Sequence, residues 1–585
     1  MISDYFAQRA EIEYPNFRLL IEDVTARYPD NIAFRMRKQD ETFTEASYSG
    51  IYRNIRALSS FLLQSGIKKG DRIGLISENR VEWVLTYLSA VFTGIIIVPF
   101  DIHTSSDGLR NFASFAELSA LFHSEKYRSA ADIIAGSCPS CLTRICFDEP
   151  AKGPGEGAEQ SFAAITADTE QLFHETDLPD IGPDDPAAII FTSGTTGVPK
   201  GVTLSHHGII ANVNSAYMSL PIDEHDNFVA VLPFHHTYPT TCSFVSPYSV
   251  GASVTIVDKI AGPRIMADIR DTGGTILIGV PLLFDKLKKG IESKLKQLPS
   301  AARTVIHTMR MLSRLGSRFH IPLAKPLFRS FREKAGLSSV RLFVSGGGPL
   351  SASSAAFFQE LGFTIVQGYG MSENGPLITT NTEKYFDNRS TGLPVKYTRI
   401  RIAQPDHQGI GEIEVRSPSL MLGYYRNPEA TREIFTSDGF LKTGDLGYIN
   451  SKGFLFISGR SKNLIVTAGG KNVFPEEIES LFPENGPVGE VLIMGQETEK
   501  DRGERIIAVC VPDYEYFSRV DNGTVPPADK IEALIREEVS KLNRSLPAYK
   551  KIEKVYIRRE EFEKTASDKI KRFLYREYGI EGSDS

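Results

Sequence analysis

The sequence predicts an α/β protein with a large, multi-layered N-terminal domain of mixed sheets and helices and a small α+β C-terminal domain. Three observations predict it. The chain has 585 residues, too many for one ordinary core. Across its first two-thirds, short apolar runs alternate with helical patterns, as in layered sheets with parallel crossovers. Late in the chain a polar turn, Gly459-Arg460-Ser461-Lys462, separates the apolar runs GFLFIS and NLIVT, and a shorter α+β pattern follows.

The strand candidates of the large domain are DRIGLIS, IIIVPF, AAIIF, FVAVL, SVTIV, TILIG and VRLFVS. The run from Trp83 to Phe100 is 18 residues long and just reaches the length of a membrane span. Its internal order favours a buried helix that stops at Thr93-Gly94 and feeds a β-branched strand. The turn at 460/461 divides the chain into residues 1–460 and 461–585. The smaller part has strands around EVLIMG and RIIAVCVP and a charged helix from Ala528 to Asn543.

Composition narrows the function classes. Hydrophobic residues are 41% and charged residues 24%, the balance of a soluble globular chain. The net charge of -6 carries no footprint of nucleic-acid binding, so none is expected. Five cysteines in a long chain make a disulfide framework improbable. Cys138, Cys141 and Cys146 include a C-x-x-C, but no second pair or nearby His in the sequence completes a zinc set, and ordinary thiols are expected. The N-terminus lacks the basic patch and apolar run of a signal peptide. The expected location is cytoplasmic.

One segment stands apart. Residues 286–334 hold thirteen Lys or Arg against two Glu, and Arg310, Arg314 and Arg318 share one helical face. Two readings stay open: peripheral contact with an anionic membrane surface, or a solvated helical insertion with no partner.

The sharpest chemical signal is Thr192-Ser193-Gly194-Thr195-Thr196-Gly197-Val198-Pro199-Lys200-Gly201, directly after AAIIF. Glycines and hydroxyl residues let backbone N–H and side-chain O–H groups close around phosphate oxygens, and Lys200 adds a point charge for the same anion. Pro199 stands where the common G-x-x-x-x-G-K-[ST] loop has its second glycine, so this is a different phosphate loop. The glycines Gly346, Gly347 and Gly348 of SGGGPLS clear one wall for a flat base, or simply form a turn. In QGYGMSE, Gln367 to Glu373, a carboxylate sits beside glycines and an aromatic ring. Asp445, in TGDLG, can accept from two ribose hydroxyls or cap its own turn.

The loop resembles the phosphate-binding signature of the AMP-forming (adenylate-forming) superfamily of acyl-CoA synthetases, nonribosomal peptide synthetases and luciferases. Further motifs follow in that family's order: VLPFHH, SGGGPLS, QGYGMSE, TGDLG, GRSKN, GGKNVFPEEIE and EKTASDKIKR. The resemblance implies ATP, Mg²⁺ and a thiol, with CoA as the expected acceptor. It implies that Thr192, Ser193, Gly194, Thr195, Thr196 and Gly197 meet the phosphates with Lys200. Gly346 to Gly348 and Gln367, Gly368, Tyr369, Gly370, Met371 and Ser372 are then adenine-pocket and acyl-site residues, and His236 lines the acyl and ATP site. Glu373 becomes the Mg²⁺ ligand with Thr192 as a second contact; Asp445 and Arg460 meet the ribose or phosphate. Lys569 matches the adenylation lysine, although Glu563 and Asp568 replace the family's usual Pro and Gly. Lys462 matches the hinge, and Gly469, Gly470 and Lys471 the loop of the thioester step.

The basic insertion resembles that of long-chain acyl-CoA synthetases, so the expected substrate is a medium- to long-chain fatty acid. The chain ends soon after the lysine motif, so no carrier domain is expected on it. Two alternatives stay open: an acyl carrier protein as acceptor, and a non-catalytic acyl-adenylate or lipid-binding module.

Overall fold

The computed structural model describes residues 6, 9–141, 143–148, 159–167, 178–192, 200–319, 321, 323–467, 471–483, 486–497, 504–520, 524–564 and 570–579. The chain forms two compact units: Met1–Ile400 with Val415–Leu441, and Arg401–Glu414 with Lys442–Ser585. Compactness thus groups the sheet that carries Asp445 and Arg460 with the C-terminal residues, whereas the expected division at 460/461 is a statement about a hinge.

Two sheets frame the first unit. The nine-stranded sheet runs Leu393–Pro394, Leu377–Thr380, Thr364–Gly370, Leu342–Ser345, Ile276–Gly279, Asn227–Ala230, Ser253–Ile256, Ile32–Arg37 and Phe43–Ser47. Its central pairs are parallel and its edges antiparallel. The eight-stranded sheet runs Gly423–Tyr424, Lys200–Ser205, Pro186–Thr192, Ile96–Pro99, Arg72–Ile76, Ala120–His123, Thr143–Cys146 and Gln160–Ser161. Every strand candidate named above is a strand here. Chains of parallel pairs bury both faces, which is why these segments read as unbroken apolar runs.

The run from Trp83 to Phe100 is a helix, Val81–Phe92, and a strand, Ile96–Pro99, with Gly94 between them at φ +70°. The helix touches strands of both sheets, and every side chain from Trp83 to Phe92 is buried. A helix packed on two sides needs apolar residues all round. No helix among the described residues is long and apolar enough to cross a membrane.

The basic segment joins strands Ile276–Gly279 and Leu342–Ser345 as helices Pro281–Lys296, Ser300–Arg318, Ala324–Leu327 and Arg329–Lys334. Arg310 and Arg314 are both held by the buried Glu360, Arg310 at 2.7 Å, and Arg310 also stacks over Phe357. Glu360 thus draws on two cations of that face, as a buried carboxylate needs, while Arg314 stays 60% exposed. The side chain of Arg318 lies outside the described residues.

In the second unit a four-stranded sheet, Arg399–Ala403, Gly411–Arg416, Leu441–Ile449 and Leu455–Arg460, lies mostly within the unit. A three-stranded sheet follows: Val488–Glu497, Glu504–Pro512 and Lys554–Ile557. Helix Ala528–Ser545 buries Ile531, Ile535 and Val539 in the same core as Ile493 and Ala508 of that sheet.

Candidate active site

The phosphate loop hangs between two paired strands. Thr192 and Lys200 are antiparallel partners, and the Thr192 hydroxyl donates to the Lys200 carbonyl at 3.3 Å. Ser193, Gly194, Thr195, Thr196 and Gly197 lie outside the described residues. On the far side of strand Lys200–Ser205, Tyr424 pairs with Val202 and Gly423 with Thr203. This register sets the Tyr424 ring 5.1 Å from the Lys200 ammonium. The same phenol donates to Glu373 Oε1 at 2.8 Å. Burial and the neighbouring Glu373 charge raise the Tyr424 pKa, so it remains a donor. Among the described residues no ion pair joins Lys200 to Glu373. Tyr424 contacts both groups, the cation over its ring and the carboxylate at its hydroxyl.

Glu373 is placed by the short 3₁₀ turn Ser372–Asn374, and its carbonyl accepts from Met421 N–H at 2.9 Å. A carboxylate held by one hydrogen bond suits a hard cation that takes its other ligands from phosphate and water. The Thr192 hydroxyl is on the neighbouring strand end. These donors fit Mg²⁺, for which Glu373 would be the ligand.

A second cluster surrounds His236. It caps the turn Thr237–Pro239, which runs into a π-helical turn, Thr240–Val245, a form frequent at functional sites. The His235 and His236 rings are 4.3 Å apart, and Asp101 stands 3.2 Å from His235 Nε2 and 4.0 Å from His236 Nε2. Burial opposes ionisation of Asp101, yet His235, the His103 backbone N–H and His236 hold its carboxyl well below the usual range. Burial, reinforced by the adjacent His235, pushes His236 down to about 4. His236 is therefore neutral at physiological pH, as a proton acceptor or hydrogen-bond partner needs to be.

The three glycines of the wall meet different surroundings. A Cβ on Gly346 would stand 2.6 Å from the Tyr238 ring, so Gly346 makes room for a side chain of the protein itself. Gly347 has φ +80°, and a Cβ on Gly348 would only touch Pro281. Gln367 is spent internally: its carbonyl accepts from Leu350 N–H, and its amide donates to Ser390 and Asn388. Gly368 and Gly370 let the antiparallel strand Leu377–Thr380 approach; a Cβ on Gly370 would meet the Pro376 carbonyl at 2.1 Å. Tyr369 and Met371 pack against the main core beside Ser372.

The remaining expected residues belong to the second unit. Asp445 and Arg460 are partners across an antiparallel pair, with Nε to Oδ1 at 3.1 Å; Asp445 is buried and Arg460 61% exposed. Lys462 lies in the exposed 3₁₀ turn Ser461–Asn463, tied by Asn463 to Glu476 at 2.7 Å. The Lys471 carbonyl accepts from Thr467 N–H and the Lys471 N–H donates to the Thr467 hydroxyl, while Gly469 and Gly470 lie outside the described residues. Lys569 and Asp568 also lie outside them. The residues flanking that motif pair: Lys564 bridges Ile570, and Lys571 N–H donates to the Glu563 carbonyl at 2.9 Å. Lys564 is bound by Glu490 and Lys571 by Glu563.

The AMP-binding enzyme family matches residues 21–425, well over half of the chain. The chain belongs to that family. It is 28% identical over 500 residues to the long-chain-fatty-acid–CoA ligase FadD15 of Mycobacterium bovis, covering 83% of this chain and 80% of that one. It is 23% identical over 586 residues to the chloroplastic long-chain-fatty-acid–[acyl-carrier-protein] ligase AEE15 of Arabidopsis thaliana, covering 88% and 78%. Its fold matches ATP-bound MatB from Rhodopseudomonas palustris with a TM-score of 0.75 at 24% identity, covering 96% and 99%.

Two residues of this AMP-binding enzyme were not singled out from the sequence. Tyr424 lies some fifty positions from Glu373, and only the strand pairing of Gly423–Tyr424 brings them together. Asp101 had one visible signal, an acid at the C-terminal end of a buried parallel strand, where α/β sheets place their sites. The fold also sets His123 and Glu159 beside Cys146, a proximity the sequence did not show. There Arg128 binds Glu159 at 2.6 Å, and burial raises the Cys146 thiol pKa.

Proposed function

We propose that this AMP-binding enzyme is an acid–thiol ligase that activates a medium- to long-chain fatty acid with ATP and passes the acyl group to CoA. The observation that carries the reading is the Glu373–Tyr424–Lys200 arrangement at the end of the phosphate-loop strands. It offers separate, oriented partners for a metal ion and for phosphate.

In the first step a carboxylate oxygen of the acid bonds to the α-phosphorus of ATP, and the bond to pyrophosphate breaks. Lys200 and the 192–197 loop hold the phosphates, and Glu373 would hold Mg²⁺, which would supply charge neutralisation at the triphosphate. Lys569, by the motif resemblance, meets the negative charge that develops between carboxylate and phosphate. His236, neutral and beside Asp101, lines the acyl side. In the second step the thiolate sulfur bonds to the acyl carbon and the bond to AMP breaks. Thiols ionise readily enough near neutral pH to need no strong base.

Different groups serve the two steps at one carbon. The reading assigns the change to a hinge at Lys462, between residues 1–460 and 461–585, that exchanges Lys569 for the Gly469-Gly470-Lys471 loop. Lys462→Pro is then expected to spare adenylate formation and suppress thioester formation; equal loss of both overturns the two-orientation account. The likeness to an acyl-carrier-protein ligase supports a second reading, in which the thiol is a carrier's pantetheine arm.

One assay separates these readings. Pyrophosphate release is measured from ATP and Mg²⁺ with acids from C2 to C18, with CoA, with holo-carrier protein and with neither. Turnover that requires a long acid and CoA supports the first reading; turnover with the carrier alone supports the second. A preference for acetate or benzoate overturns the chain-length assignment, and no release with any acid overturns the enzyme reading.

A further inference from the structure

Three side chains able to bind a metal ion meet at one rim of the eight-stranded sheet, and none of them belongs to the ATP or acyl site. His123 and Cys146 end the neighbouring parallel strands Ala120–His123 and Thr143–Cys146 and are register partners. Cys146 is in turn the partner of Ser161 on the edge strand. Side chains alternate between faces with a period of two, so Glu159, two residues before Ser161, falls on the same side. The ligand atoms of His123, Cys146 and Glu159 lie within 4.8 Å of one another. His123 and Cys146 are fully buried, and the Glu159 side chain is 13% exposed.

The His123 ring has an oxygen acceptor at each nitrogen. Nδ1 is 3.0 Å from the Ser124 carbonyl, and Nε2 is 2.7 Å from Glu159 Oε1. A neutral ring carries one N–H, so in either tautomer a nitrogen lone pair faces an oxygen lone pair. Two states satisfy both sides: an imidazolium, or a ring with a metal ion on Nε2. The second keeps Nδ1–H on a backbone carbonyl, the arrangement that orients metal-binding histidines. Protonating the ring adds one positive charge and serves only the ring and Glu159. A divalent ion that displaces the Cys146 thiol proton to solvent adds the same single charge and serves the sulfur as well. Among the described residues the Sγ contacts with Arg128 Nη2 and Glu125 Oε2 are both long, at 3.9 Å.

The surroundings hold the carboxylate in place. Arg128 takes Glu159 Oε2 at 2.6 Å and reaches Oε1 at 3.2 Å, and Arg144 stands 3.5 Å from Oε1. A carboxylate fixed in this way turns Oε1 to the ring without further ordering. Sulfur, imidazole nitrogen and carboxylate oxygen together form a donor set that suits Zn²⁺. Zinc bond lengths put a tetrahedral nitrogen and oxygen about 3.3 Å apart, so His123 and Glu159 have to part by about 0.6 Å.

We propose that Cys146, His123 and Glu159 bind a Zn²⁺ ion through Sγ, Nε2 and Oε1, with water as the fourth ligand. The ion ties the ends of two strands to the segment that enters the edge strand. The site does not depend on the ligase reading, and its test needs neither ATP nor an acid.

The full chain is stripped with a chelator and titrated, without ATP or Mg²⁺, with Zn²⁺ against a chromophoric competitor and separately with Co²⁺. A single equivalent of Zn²⁺ is expected to bind and to raise the melting temperature. Co²⁺ is expected to give a thiolate charge-transfer band in the near ultraviolet and the intense visible bands of a tetrahedral ion. Cys146→Ser is expected to remove the charge-transfer band and to weaken Zn²⁺ binding at least about ten-fold. His123→Gln keeps an amide donor for Glu159 and is expected to weaken Zn²⁺ binding to the same degree. Cys141→Ser, at a neighbouring thiol outside the cluster, is expected to bind like the wild type. The circular dichroism spectrum and melting temperature of each metal-free variant certify its fold. A wild type that binds no Zn²⁺ leaves His123 as a charged partner of Glu159 and overturns the proposal. Binding without a thiolate band, as at the Asp101, His235 and His236 cluster, overturns it as well. So does a band that survives Cys146→Ser.

Discussion

Two acid–cation pairs in this protein are built in opposite ways. In the first unit, Glu373 and Lys200 both contact Tyr424, and among the described residues no ion pair joins them. In the second unit, Asp445 and Arg460 contact each other directly, with most of the arginine in water. The first pair is oriented for a ligand in advance, with no internal ion pair to break. The second is already satisfied and has to open before either group can serve a ribose or phosphate. A pair whose cation lies mostly in water is screened and worth about 1 kcal/mol, so opening it costs little. A fixed site therefore holds its groups on a shared neutral contact, whereas a group used for part of a cycle can rest on a weak partner.

Not every pair in the second unit is loose, and the largest expected effect sharpens that distinction. Arg572 binds both oxygens of Glu479 at 2.5–2.6 Å and donates to the Ile493 carbonyl. Burial raises the Glu479 pKa, so the partner is needed to keep it charged. Arg572→Ala is expected to cost about 3–5 kcal/mol in denaturant unfolding of that unit, against almost nothing for Arg460→Gln. Similar costs for the two variants break the contrast.

Next in size, Glu373→Gln is expected to slow pyrophosphate release about 10²–10³-fold with little change in melting temperature. A loss under about ten-fold removes Glu373 from the metal role. Tyr424→Phe keeps the ring beside Lys200 and deletes only the donor to Glu373. Its expected cost is about ten-fold in the same assay, the scale of one hydrogen bond to a charged group. Loss as large as that of Glu373→Gln makes the tyrosine more than a shared contact.

A smaller effect is read against pH. His236 has an ordinary pKa of 6.5 and a folded value of about 4. Between those values the unfolded chain binds a proton there that the folded chain does not, so stability falls as pH drops from 6.5 toward 4. His236→Gln is expected to flatten that part of the melting-temperature profile; an unchanged slope assigns it to other groups. The smallest effect is that of Arg460→Gln on binding: a few-fold rise in the KM for ATP, consistent with a weak resting pair.

Local chemistry was legible wherever a residue acts with its chain neighbours. The Trp83–Phe100 run announced its own break at Gly94, and the strand AAIIF pointed straight at the phosphate loop. Where a role depends on what lies opposite, reading along the chain fell short. Arg310 and Arg314 do share a face, but only the fold brings Glu360, 46 to 50 residues away, to both. Gly346 belongs to a glycine run, yet Tyr238 determines what its missing side chain makes room for. Gln367 lies within a recognisable motif, while its amide holds the Asn388–Ser390 loop.

By itself the sequence determined the α/β class, the order of the strands along the chain and the motifs that place this protein among AMP-binding enzymes. Those follow from periodicity and short-range spacing, which the chain carries locally. The tertiary structure decided that Tyr424 contacts both Glu373 and Lys200, that Asp101 supports the His235–His236 pair, and that Glu360 gathers Arg310 and Arg314. Each of those depends on strand register or on a distant charge, and contacts between residues far apart in sequence exist only once the sheets have formed.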